Sequence, residues 1–175
     1  MRLAITVTAL TLAASAAAAA GNPTALALQR RDCPPGAKYS IGALPDQVLQ
    51  GLRGIGVHGD GVYGACDYAR AAAGSLTLTF LVVATGSPAQ AAKAYAAFAK
   101  ELADPSKRKA TLPRYGDQQL AVVDRESSEP DLLVREGSLM WELSLKPNGV
   151  KVLTRALALA EIGKFARKQK ARCGC

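Results

Sequence analysis

Cys33, Cys66, Cys173 and Cys175 are the only cysteines of the chain and the residues best equipped for chemistry. The two thiols of Cys173-Gly174-Cys175 could supply half of a tetrahedral site for a soft metal such as copper or zinc, or a dithiol for disulfide exchange. An even count in an exported chain points instead to disulfides, with three connectivities open. A bridge inside the tail closes a small, strained ring. The plainer expectation therefore pairs each tail cysteine separately with Cys33 or Cys66. In the chain-entropy description a Cys33–Cys66 bridge stabilises by roughly 3–4 kcal/mol, and one from Cys66 to the tail by about 5 kcal/mol.

His58 is the only histidine, and His58-Gly59-Asp60 sets a carboxylate near an imidazole. That is part of a set that activates a nucleophile. No G-x-S-x-G elbow accompanies it, so a surface histidine and no catalytic residue are expected. Asp124, Glu126, Glu129 and Asp131 place four carboxylates in eight residues. Calcium takes such oxygen ligands, but the spacing is not that of an EF-hand and Pro130 interrupts it, so a solvated loop without metal is expected. Gly54-Ile55-Gly56-Val57-His58-Gly59 carries the letters of a dinucleotide fingerprint. A short helix precedes it and a strand follows, the reverse of what phosphate binding needs, so the six residues read as a loop and no cofactor is expected.

The formal charge is +8. The excess lies in Lys107-Arg108-Lys109 and in Lys164, Arg167, Lys168, Lys170 and Arg172. Basic patches hold nucleic acid, anionic lipid or acidic cell-wall polymer. An exported chain does not meet nucleic acid, which leaves a protein or an anionic envelope component as partner. The bland reading of both clusters is a solvated loop and a solvated helix face.

Export is read from the start of the chain. Arg2 is a short positive region, Leu3 to Leu12 an apolar centre, and Ala18-Ala19-Ala20 a small-residue cleavage site before Gly21. Residues 1–20 are thus expected to be a signal peptide, 21–32 a flexible lead, and 33–175 a single domain that is secreted or periplasmic. No later stretch reaches about 18 apolar residues, so no membrane span is expected after cleavage.

These residues must be positioned by the elements around one apolar run. Leu76, Leu78, Phe80 and Val82 share one face of a strand from Ser75 to Ala84, and Thr77 and Thr79 share the other. Leu81 and Val83 break the alternation, so the second half is covered on both sides, as in the middle of a sheet. A helix follows. Ser87 and Gln90 form a capping box with Pro88 at the first helical position, and Tyr95, Phe98, Ala99 and Leu102 make its apolar stripe.

Earlier, Leu44, Val48, Leu49 and Leu52 mark a short helix, and Val62 to Tyr68 a strand with Cys66 and Tyr68 on one face. Later come a basic loop from Asp104 to Arg114, a strand from Gln118 to Asp124, and a hairpin from Leu132 to Leu145 around Gly137-Ser138, which suits a type II′ turn. Leu139, Trp141, Leu143 and Leu145 mark its core face, and Met140, Glu142, Ser144 and Lys146 the other. A last helix runs from Val150 to about Gln169, burying Val152, Ala156, Leu159, Ile162 and Ala166. The order α-β-β-α-β-β-β-α with short links implies an α+β domain. Its sheet is antiparallel, of about five strands, with the helices packed on one face.

This order resembles the small exported proteins of PsbP-like α+β fold, which include many bacterial lipoproteins of unknown function. The resemblance rests on the Leu-Pro-led helix from Leu44 to Leu52, Cys66-Asp67-Tyr68 on the first strand, Tyr115-Gly116-Asp117 before a middle strand, the Leu132 to Leu145 hairpin and the closing helix. The lipoprotein cysteine is missing here and the Cys-Gly-Cys tail is additional. Members are generally non-enzymatic accessory or binding modules. The resemblance thus implies an exported binding domain stabilised by disulfides, and carries over no catalytic residue. The alternative is a thiol-based metal or redox protein using Cys173 and Cys175.

Overall fold

The computed structural model describes residues 22–70, 74–149 and 153–174. The expected signal peptide therefore lies outside the described residues. In chain order the elements are α1 (Pro23–Leu26), a 3-10 turn (Arg30–Asp32), β1 (Lys38–Ala43), α2 (Asp46–Gly54), β2 (Gly59–Arg70) and β3 (Gly74–Thr85). There follow α3 (Pro88–Leu102), β4 (Lys107–Lys109), β5 (Gln118–Asp124), β6 (Pro130–Glu136), β7 (Leu139–Asn148) and α4 (Arg155–Cys173). One antiparallel sheet joins seven strands in the order β1-β2-β3-β7-β6-β5-β4. The domain is α+β as expected, with more strands than the expected five. The two extra strands are the sheet edges. β1 does alternate, with Tyr39 and Ile41 half-buried against the core between exposed Lys38, Ser40 and Gly42, but it is a short edge strand; β4 is the tripeptide Lys-Arg-Lys and carries no apolar signal at all.

The expectation that all helices gather on one face is overturned. The face bearing Leu76, Leu78, Phe80, Val82, Trp141, Leu143 and Leu145 packs against α4 through Ala158, Ile162, Phe165 and Ala166, and against Leu28 from the N-terminal segment. The opposite face packs Leu81, Val83, Leu133 and Met140 against Leu52 of α2 and Ala94 and Leu102 of α3. The physical reason is the run from Leu81 to Ala84, which is apolar on both sides and buried throughout, and so needs a cover on each.

Several local expectations hold with adjustments. Ser87 caps α3 by accepting the Gln90 N–H (3.3 Å), but the Gln90 side chain accepts the His58 N–H (3.3 Å) instead of closing the box. Gly137 takes φ 53° in the β6–β7 turn. The last helix starts later than expected, because Thr154 caps it by accepting the Leu157 N–H (3.3 Å). Its buried residues are therefore Ala158, Glu161, Ile162, Gly163, Phe165, Ala166 and Gln169, leaving Ala156 exposed and Leu159 half-buried; Val152 lies outside the described residues. Within the stretch expected to be a flexible lead, Ala27 and Leu28 are fully buried under α4. Among the described residues no helix is long and apolar enough to cross a membrane.

Candidate functional site

Cys33 is bonded to Cys66, with Cα atoms 5.9 Å apart. Cys66 points into the core from β2, and Cys33 follows the 3-10 turn that lies over it. The expected pairing of each tail cysteine with Cys33 or Cys66 is thereby overturned. The shorter loop wins despite its smaller entropic term, because the Cβ-to-Cβ geometry of a bridge is met only by groups the fold has already brought together. Cys173 is half-buried at the end of α4, where its Sγ lies 3.3 Å from Gln169 Nε2, and Cys175 lies outside the described residues.

Beside the disulfide lies a cleft of about 520 Å³. Its floor includes Phe165 and Pro34, and its walls carry Arg70, Lys164, Arg167 and Lys168. Glu161, Lys164, Phe165 and Lys168 come from one face of α4, since residues three and four apart stack on a helix. Glu161 is the one carboxylate there and is almost fully buried. It is paired with Lys164 Nζ at 2.8 Å and with Arg70 Nη1. The Tyr68 hydroxyl is buried alongside; burial first, and then the Glu161 charge, hold its pKa well above the ordinary range. Lys168 Nζ sits 5.5 Å from the centre of the Phe165 ring and donates to the Asp32 carbonyl at 2.5 Å. Arg172 leaves the cleft to pair with Asp32 at 2.9 Å. The basic end of α4 is thus no simple solvated face.

A second cleft, of about 610 Å³, opens on the α2–α3 face, where α3 ends and the sheet floor turns polar. Lys107 of β4 donates to Asp131 Oδ2 (2.6 Å) and Ser144 Oγ donates to Asp131 Oδ1 (2.5 Å). Glu142 sits beside them, and burial together with the Asp131 charge pushes its carboxyl up to about 7. Tyr63 stands at the lip with 41% of its surface exposed.

Comparison with protein-family models, curated proteins and solved structures finds no match. The geometry alone therefore carries the functional reading.

Of the four carboxylates read as a loop, Asp124, Glu129 and Asp131 line the second cleft, whereas His58 and Asp60 line neither of these clefts. His58 and Asp60 are both exposed at the start of β2. Asp124 accepts the Glu126 and Ser127 N–H groups and the Ser127 hydroxyl, which lower its pKa. Asp131 is turned away onto the sheet and buried, a correction to its reading as part of a solvated loop. Among the described residues no three His, Cys, Asp or Glu side chains are grouped to hold a metal. Lys107-Arg108-Lys109 is a strand, not a loop, and Lys107 belongs to the second cleft. Sequence reading missed Arg70, Glu161 and Phe165. The available signal was Glu161 itself, a charge flanked by Ala158, Ile162 and Phe165 on the apolar side of a helix.

Proposed function

We propose that this protein is an exported, non-enzymatic binding domain, stapled by Cys33–Cys66, that takes an acidic envelope polymer in the basic cleft beside α4. One observation carries the reading: four cationic side chains surround an apolar floor against a single buried carboxylate. Glu161 holds Arg70 and Lys164 in fixed positions, so less side-chain entropy is lost when an anion arrives. Arg167 is exposed and offers a planar fork that matches a carboxylate or phosphate group. The amino-terminal signal pattern and the disulfide support an oxidising, extracytoplasmic setting. The PsbP-like order of elements belongs to the same proposal.

The test is a titration of the purified domain with polygalacturonate, and with neutral dextran as control. Saturable, salt-sensitive binding of the acidic polymer is expected, weakened at least tenfold in the Arg167→Glu variant and absent for dextran. Equal affinity for both polymers, or no effect of Arg167→Glu, would sink the proposal.

A further inference from the structure

We propose that the polar cleft on the α2–α3 face is a second binding site, for an organic ammonium group, with Glu142 as its counter-ion and the Tyr63 ring as its flank. The placement follows from register. Tyr63 pairs with Leu81, and Leu81 with Glu142, so the three lie in one row across β2, β3 and β7. Thr79, Ser144 and Asp131 form the next row. Between the rows is a slot of about 70 Å³ walled by Tyr63, Thr79, Leu81, Glu142 and Ser144. Tyr63, Thr79, Glu142 and Ser144 also line the 610 Å³ cleft, so slot and cleft form one depression. At roughly 30 Å³ per water, the slot has the room of two waters, about that of an aminomethyl head.

The charges in the depression select a cation. Both oxygens of Asp131 are occupied, one by Lys107 and one by Ser144. The Glu142 carboxylate, by contrast, has no hydrogen bond or ion pair among the described residues. A half-buried carboxylate without a partner is relieved by a proton or by a ligand cation. Four carboxylates, Asp124, Glu129, Asp131 and Glu142, line the depression against two cations, Lys107 and Lys146, so an anion would meet net negative charge, and a neutral polyol would leave the Glu142 charge uncompensated. A bare divalent ion lacks the grouped ligands it needs among the described residues. An alkylammonium fits each part: its charge faces Glu142, its N–H groups reach the Ser144 and Thr79 hydroxyls, and its methylenes lie against Leu81, Leu102 and the exposed face of Tyr63. The chain as a whole is strongly basic and repels cations, so affinity for an amine must come from this site.

The test uses the folded domain and 1,5-diaminopentane in calorimetric titration at pH 8, with 1,5-pentanediol as the neutral control. Saturable binding of the diamine is expected, with no heat of binding from the diol. Glu142→Gln should weaken the diamine at least tenfold, and Tyr63→Ala, at an exposed ring, should weaken it severalfold; melting curves verify that both variants fold. No saturable binding of the diamine, an unchanged affinity in Glu142→Gln, or equal binding of the diol would each overturn the proposal.

Discussion

Gln169 holds the backbone of Leu28. The fully buried side-chain oxygen of Gln169 accepts the Leu28 N–H at 3.1 Å, while its nitrogen donates to the Leu26 carbonyl at 2.7 Å. One amide on α4 therefore docks the segment that leads into Cys33. Gln169→Leu leaves the buried Leu28 N–H without this partner and the half-buried Leu26 carbonyl with only the distant Cys173 thiol at 4.0 Å, and should destabilise the domain by about 1–3 kcal/mol in urea unfolding. A variant as stable as the parent would mean that this segment is not anchored by Gln169.

The Cys33–Cys66 bridge fixes the same segment from the other side. Replacing both cysteines with serine should lower stability by roughly 3–4 kcal/mol, the loop-closure value for this separation. Peptide mapping under non-reducing conditions should recover Cys33 linked to Cys66. Recovery of either residue linked to Cys173 or Cys175 would contradict the structure.

Lys107 ties the short edge strand β4 to the sheet through Asp131. Lys107→Ala leaves a buried carboxylate with only Ser144 as a partner. Because Lys107 is partly exposed, the expected loss is about 1–3 kcal/mol, below that of a fully buried pair. Amide exchange should quicken at Arg108 and its β5 partner Val123, and unchanged protection there would refute the tie.

Glu142 makes stability depend on pH in a definite direction. Its folded carboxyl titrates at about 7 against an ordinary 4.5, so the folded state binds its proton more tightly than the unfolded state. The advantage of the protonated form is complete below about 4.5 and is lost as pH rises through about 7. Glu142→Gln removes this dependence. The variant should exceed the parent in stability at pH 8, and the gap should close at pH 4. Parallel denaturation midpoints for the two proteins at both values would show that the carboxyl is not perturbed.

Much of the fold is legible locally. Leu76, Leu78, Phe80 and Val82 alternate because a strand exposes its faces with period two, and the structure buries all four. The Ser87 cap and the Leu44 to Leu52 stripe are equally local, since each depends on neighbours within a turn. β1 carries the same alternation in Tyr39 and Ile41, but the other edge strand, β4, is not legible in this way. Lys107-Arg108-Lys109 becomes a strand only because β5 offers it a ladder, and no property of the tripeptide announces that.

The sequence by itself determined the antiparallel α+β class, the central strand and which residues of β7 share the Trp141 face, because these follow from periodicity and short links. It also named Glu142 and Ser144 as companions on the opposite face. Only the tertiary structure decided that Cys33 meets Cys66, that helices cover both faces, and that Arg70 and Glu161, on β2 and α4, wall one cleft. It alone decided that Tyr63, Asp131 and Glu142 share another. The reason is physical: a disulfide, an ion pair or a binding cleft depends on through-space distance, and spacing along the chain does not encode distances between elements brought together by packing.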